Sequence, residues 1–228
     1  MVSRAVGRGM WGRRSGRNLY WVLCGLLVAC CGGGNANRPP DHPAFAQINK
    51  SVAALVDTDG DIHCAASWVS QSVLLTANHC VHGYSARLWH GKTYAAEVLK
   101  VDTRTDLALL RVRGVPKHGV LSIARRNPAY GERVWALGHP LGIPFIWTEG
   151  LASAVTVEEG KVEFLQASAQ VMPGNSGGPL VNARGEIVGV ADQLAQWPLA
   201  GLFPMPVSHL GYFVTWRHVR ALMTGVVR

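Results

Sequence analysis

Acidic residues are missing from the first thirty positions of this 228-residue chain, where Arg4, Arg8, Arg13, Arg14 and Arg17 stand instead. Removing those five arginines takes the formal charge from +8 to +3. A nucleic-acid surface therefore has little support, and no basic stripe interleaved with aromatic residues occurs later. Long apolar runs are lacking too. Leu19 to Cys31 spans only 13 residues, too short to cross a bilayer comfortably, and no later segment could cross one. Cysteine is scarce, with Cys64 and Cys80 the only two beyond residue 31. The other histidines show no zinc spacing such as H-E-x-x-H, so neither a metal nor an organic cofactor is expected. Internal repeats are absent and long helical patterns are few. What is abundant is turn chemistry: Gly 26 and Pro 12 favour a β protein. The length suffices for one sizeable core or two small barrels sharing an interface.

The short apolar run behind an arginine-rich stretch fits the h-region of a secretory signal. It ends Leu27-Val28-Ala29-Cys30, which resembles the bacterial lipobox. That resemblance implies cleavage before Cys30 and lipidation of its thiol; an ordinary signal peptide is the alternative. Met10 is a second possible start, and Arg13-Arg14 is a poor match to a twin-arginine signal. Gly32 to Pro40 lacks apolar anchors and reads as a flexible tether. The expected organisation is a signal segment over 1–31, a linker over 32–43 and a folded domain over 44–228. The expected location is the bacterial cell envelope or periplasm. In an oxidising compartment, the two remaining cysteines, Cys64 and Cys80, are expected to bridge.

After Ala44 the pattern is short strands and frequent turns. Strands are expected at Ser51 to Val56, on either side of Ser70-Gln71-Ser72 within Ala65 to Thr76, at Ala86 to Trp89, Thr93 to Val101 and Leu107 to Val112. The second half adds Val134 to Leu137, Leu151 to Val157, Val162 to Ala167, Leu180-Val181 and Ile187 to Val190. The polar, Pro-containing stretch Ala124 to Pro128 reads as a link between two barrels, with a boundary near 125. At the end, Trp216, Val219, Leu222 or Met223, and Val226 recur at helical spacing behind Thr215, a possible cap.

Three segments carry chemistry, in the order Leu75-Thr76-Ala77-Asn78-His79-Cys80, Thr105-Asp106-Leu107-Ala108-Leu109-Leu110 and Gly174-Asn175-Ser176-Gly177-Gly178-Pro179-Leu180. A serine hydroxyl is a poor nucleophile near neutral pH. It needs a base, and the base needs a partner that fixes its tautomer. At these residues, and from about Ala44 to the C-terminus, the chain resembles the chymotrypsin-fold serine proteases. The resemblance implies an all-β fold of two six-stranded antiparallel barrels with a C-terminal helix. It also implies a His79/Asp106/Ser176 triad and an oxyanion hole from the amides of Gly174 and Ser176. The bridge Cys64–Cys80 would pin the strand that carries His79. Asp102 competes with Asp106, but the family sets its aspartate just before an apolar strand, as at Asp106.

Within that fold, Leu137-Gly138-His139-Pro140-Leu141-Gly142 resembles the Gly-Asn-Pro-Phe-Gly segment of the bacterial HtrA-type branch. Gln166 to Leu180 also resembles that branch. His139 reads as a residue of a surface loop. Asn175 carries no charge, so activation by a freed N-terminal amine is not expected. The chain ends at Arg228, and the resemblance covers a protease domain without a PDZ domain. Gln170 would lie near the base of the substrate pocket, which would run along Gly211-Tyr212-Phe213-Val214.

The implied activity is a serine endopeptidase that takes a polypeptide substrate, with the membrane as a partner through the lipid anchor. One rival is a silent binding module that keeps the fold. A second is an α/β-hydrolase, since Gly174-Asn175-Ser176-Gly177-Gly178 satisfies G-x-S-x-G. That reading takes Asp192 with His209 or His218, and needs a helix directly after Ser176.

Overall fold

The computed structural model of the chain describes residues 42–81, 83–158, 161–197 and 205–226. The signal segment with Cys30, residues 32–41 of the linker and residues 159–160 lie outside them. A short helix, α1 (Phe45–Asn49), opens the described chain. Six strands come next: β1 (Val52–Val56), β2 (Ile62–Trp68), β3 (Val73–Ala77), β4 (Ser85–Leu88), β5 (Thr93–Asp102) and β6 (Leu107–Val112). They close into a barrel in the order β1-β2-β3-β6-β5-β4. Six more make up the second half: β7 (Arg133–Gly138), β8 (Ile146–Glu158), β9 (Val162–Ala167), β10 (Pro179–Val181), β11 (Ile187–Trp197) and β12 (Met205–Thr215). These close in the matching order β7-β8-β9-β12-β11-β10, and all the strand pairs in both barrels are antiparallel. The helix α2 (Trp216–Met223) completes the described fold.

Several strands are apolar at consecutive positions because both of their faces are buried. On β3, Leu74 points into the first barrel with Leu55, Trp68 and Leu88, whereas Leu75 joins a cluster between the barrels. On β6, Leu110 and Leu109 divide in the same way. In the second barrel, Leu180 and Val188 line the interior with Leu165 and Phe213, while Val181 and Ile187 face the shared cluster. The two-residue period of a strand thus supplies three cores from two barrels.

Helix α2 sits in that shared cluster through Val219 and Leu222. Lys100 on β5 donates from Nζ to the carbonyls of Leu222 (2.9 Å) and Thr224 (3.3 Å). A cation there satisfies orphan carbonyls and complements the helix dipole. Arg220 holds the link between the barrels, donating to the carbonyls of Ala124 (3.0 Å) and Ile123 (3.1 Å). Thr215 occupies the N-cap position, but its side chain makes no capping hydrogen bond. Instead Trp216 Nε1 donates to Asn127 Oδ1 at 2.6 Å. The strands β8 and β11 run well beyond the expected segments, because their neighbours β7 and β12 continue the ladder.

Candidate active site

Register brings His79 and Asp106 together. β3 and β6 are antiparallel, with Ala77 opposite Leu107, so the chain leaving β3 meets the chain entering β6. A 3-10 turn, Asn78–Cys80, succeeds β3 at once. Asp106 brackets this turn with three groups. Its carbonyl accepts from Asn78 N at 2.8 Å. One carboxylate oxygen accepts from His79 N at 3.0 Å, and the other pairs closely with His79 Nδ1. Asp106 adopts φ 52°, a left-handed conformation that aspartate tolerates better than most residues. Asp102, the competing carboxylate, accepts from the amides of Arg104 (3.0 Å) and Thr105 (3.4 Å) and so belongs to the turn before Asp106.

The hydrogen bond to Asp106 raises the pKa of His79 above the ordinary histidine value, against the effect of partial burial; the charges of Asp106 and Asp192 add to the rise. Burial alone would lift the Asp106 carboxyl. Its hydrogen bonds and proximity to His79 outweigh that and hold it below the usual range. With Nδ1 committed to Asp106, Nε2 is the ring nitrogen left for a proton transfer.

Ser176 comes from the loop between β9 and β10, yet it is fastened to the first barrel. Its carbonyl accepts from Ala65 N on β2 at 2.9 Å and lies 3.7 Å from Cys80 Sγ, one residue beyond His79. On the other side, Gly177 N donates to Ala191 O on β11 at 2.8 Å, and Ala191 N donates to Gly178 O at 2.8 Å. Gly177, at φ +79°, has no room for a side chain: a Cβ would meet Thr76 Oγ1, Ala65 O and Ala77 N. The serine hydroxyl donates to Asp192 O at 3.5 Å. Among the described residues no hydrogen bond joins it to His79.

Cys64 and Cys80 form a disulfide, with Cα atoms 6.1 Å apart. It ties β2 to the turn that holds His79.

The loop before the serine is shaped by the segment after β7. Leu141 N donates to Pro173 O at 2.8 Å and His139 N to Gly174 O at 3.3 Å. A trans peptide whose carbonyl is held by Leu141 directs its amide, Gly174 N, the opposite way. Among the described residues, the amides of Gly174 and Ser176 donate to no backbone carbonyl. Gly174 sits at φ +100°, and a Cβ there would meet His139 O at 2.2 Å.

His139 corrects the sequence reading. It is fully buried, not part of a surface loop. Its Nδ1 accepts from Phe145 N at 3.0 Å. Nε2 has no partner within hydrogen-bond range, although the Ala53 backbone lies near enough to oppose the burial effect in part. Burial dominates and lowers its pKa to about 4. A polar residue flanked by Gly138 and Pro140 carries no local sign that the loop packs inward.

Asp192 entered the sequence reading only as a partner in the elbow rival. The structure sets it beside His79 and Asp106: one ligand-type atom from each lies within 4.8 Å of the others. His79 and Asp106 already use those atoms on each other. The elbow reading fails just after the serine, where Pro179 opens strand β10 in place of the required helix. Gln170 is exposed, and its carbonyl accepts from Thr148 Oγ1 at 2.8 Å. A groove of about 610 Å³ between the inter-barrel link and α2 is lined by Val69, Arg125 and Arg220 among others, and by none of His79, Asp106, His139, Ser176 and Asp192.

Two six-stranded barrels in matching order, with a histidine and an aspartate from the first and a serine from the second, define the chymotrypsin class of fold. The chain belongs to the trypsin-like peptidase domain family, which matches residues 54–190. It is 37% identical over 134 residues to the serine protease Do-like HtrB of Bacillus subtilis, covering 53% of this chain and 29% of that protein. It is 36% identical over 129 residues to a protein of Marinomonas named "Probable periplasmic serine endoprotease DegP-like", covering 53% and 27%. The chain therefore spans less than a third of the length of these curated relatives. Among solved structures, a variant of the HtrA-type protease AlgW with a tripeptide superposes with a TM-score of 0.68 at 25% identity, covering 81% of this chain and 62% of that one. The active form of the Rv3671c protease from M. tuberculosis has a TM-score of 0.70 at 22% identity, covering 82% and 85%, a likeness of fold alone.

Proposed function

We propose that the protein is an exported serine endopeptidase that cleaves polypeptides through an acyl-enzyme on Ser176. The observation that carries this reading is the docking of the serine loop, through Ser176 O and Ala65 N, on the barrel that holds the His79–Asp106 pair. The hydroxyl swings from Asp192 O to His79 Nε2, which takes its proton as Oγ attacks the scissile carbonyl. Asp106 keeps the proton on Nδ1 and stabilises the imidazolium. The amides of Gly174 and Ser176 receive the oxyanion. The imidazolium then protonates the leaving amine. Water, deprotonated by the same nitrogen, releases the acyl group and restores Ser176.

The N-terminal reading belongs to the same proposal: a lipoprotein signal over 1–31, an anchor on Cys30, a tether over 32–43 and a protease domain over 44–228, held at the cell envelope. The apolar run ending Leu27-Val28-Ala29-Cys30 supports it, as does the word periplasmic in the names of several relatives.

A fluorophosphonate probe and a peptide library test the catalytic claim. Wild type should label on Ser176 and cleave; Ser176→Ala and His79→Ala should each abolish turnover, and the two losses should not add, because the residues act as a unit. A folded wild type that neither labels nor cleaves would make the protein a binding module instead. For the anchor, labelled fatty acid should enter the wild type, and Cys30→Ser should release active protein from membranes. A mature N-terminus found beyond Cys30 would leave an ordinary secreted protease.

A further inference from the structure

Asp192 stands at a bulge of β11. Ala191 lies opposite Phe213 and Gln193 opposite Tyr212, so Asp192 has no place in the ladder. An extra residue of this kind turns its side chain out of the strand's alternation, and such bulges recur beside active sites. Here the turn brings Asp192 against all three residues of the proposed triad. Its carbonyl accepts from the Ser176 hydroxyl. Its carboxyl lies within 4.8 Å of ligand-type atoms of both His79 and Asp106, and its side chain helps to hold the Asp106 carboxyl below the usual range. Two carboxyl groups can hydrogen-bond only if one keeps a proton, and like charges at that range do not both ionise readily.

We propose that Asp192 is a positioning residue of this site: it shares one proton with Asp106, aims that carboxylate at His79 Nδ1, and holds the Ser176 hydroxyl with its main-chain carbonyl. The inference rests on the serine-protease reading above. When the imidazole gains a proton, the carboxyl pair can release its own, so the three groups titrate together. The charged groups that act on His79 are Asp106 and Asp192. On the adjoining β12, Tyr212 packs its ring on Phe164, and the serine loop contributes only neutral groups.

Two variants separate orientation from titration. Asp192→Asn keeps a hydrogen-bond donor for Asp106 and removes the shared proton. Asp192→Ala removes both. In a pH profile of kcat/KM, the Asn variant should keep a plateau close to wild type, with its acidic limb moved to lower pH. The Ala variant should lose about tenfold or more in the plateau, mostly in kcat. An Asn plateau as low as that of Ala, or an acidic limb that does not move, would overturn the proposal. A second arm needs no turnover. In protein carrying Ser176→Ala, the NMR titration of the His79 ring should shift to lower pH when Asp192→Asn is added, and an unchanged midpoint would overturn the coupling. If wild type fails to label with fluorophosphonate, the functional reading falls, while the titration still decides the role of Asp192.

Discussion

Gly177→Ala would test how the proposed nucleophile, Ser176, is held. Two costs arise, and a second glycine separates them. Gly177 has φ +79° and Gly131 has φ +76°, so alanine at either site carries a left-handed penalty of about 1–2 kcal/mol. At Gly131 a Cβ meets nothing within 4 Å, and the penalty ends there. At Gly177 the Cβ would meet Thr76 Oγ1 at 2.1 Å, Ala65 O at 2.4 Å and Ala77 N at 2.8 Å. Two of these are main-chain atoms of ladder strands and cannot rotate away. Ordinary contact needs about 3.5 Å, so the serine loop must retreat from the first barrel by about 1 Å. Overpacking of this size costs about 1–3 kcal/mol in stability, which a domain of this size tolerates. Its effect on chemistry is larger, because a misplacement of about 1 Å costs on the order of 100-fold in rate. Urea unfolding should find both variants folded. The Gly131→Ala enzyme should match wild type in kcat/KM and in the rate of fluorophosphonate labelling, and the Gly177→Ala enzyme should fall about 100-fold in both. Equal activity of the two variants would show that close docking of this loop on Ala65 and Thr76 does not position Ser176.

Acid should unfold the protein partly through His139. Its folded pKa is about 4 against an ordinary 6.5, so between those values the unfolded chain takes up a proton that the folded one refuses. Stability should therefore decline as pH falls through that window, by up to about 3 kcal/mol. The decline should be shallower in His139→Asn, and parallel urea-derived free energies at pH 7.5 and 4.5 would refute this origin. Asp106→Asn removes the carboxylate that raises the pKa of His79. The acidic limb of kcat/KM should move to lower pH while the plateau drops by about 10³–10⁴-fold, and a limb at the wild-type position would contradict the pairing. Reduction of Cys64–Cys80, which are 16 residues apart in sequence, should cost about 3 kcal/mol. That is about 6–12 °C in calorimetric Tm, and an unchanged Tm would show that the closed loop adds no stability. Gly174→Ala should reduce kcat more than it raises KM, because its Cβ would strike His139 O. A change in KM alone would argue against an oxyanion role for that amide.

Much of the candidate site was legible because its signals are local. His79 and Asp106 each stand at the end of an apolar strand segment, and Ser176 lies among glycines that a tight loop requires. Their order also fixed which barrel would carry which group. Asp192 was not legible in its present place: the bulge that turns it depends on register with β12, roughly twenty residues onward, and nothing near Ala191-Asp192-Gln193 announces a slip. The burial of His139 was hidden for a similar reason, since loops rich in Gly and Pro usually face solvent. Helix α1 escaped notice because five residues carry no full turn pattern and its N-cap, Ala44, makes no side-chain hydrogen bond. Its anchors are distant: Asn49 Oδ1 accepts from Trp147 Nε1 at 2.8 Å, and Phe45 packs edge-on against Trp147.

The clamp of α2 on Lys100 bears on when the two barrels can be fully joined. A chain that emerges N-terminus first presents β1 to β6, with His79 and Asp106, long before Ser176 appears. Even after the second barrel closes, the shared apolar cluster lacks Val219 and Leu222, and the Lys100 ammonium lacks its two carbonyls, until residues 216–224 arrive. Helix α2 adds the last side chains in chain order to a seam that strands of both barrels also build. Chain order thereby leaves the seam between the barrels incomplete until the last described residues are present.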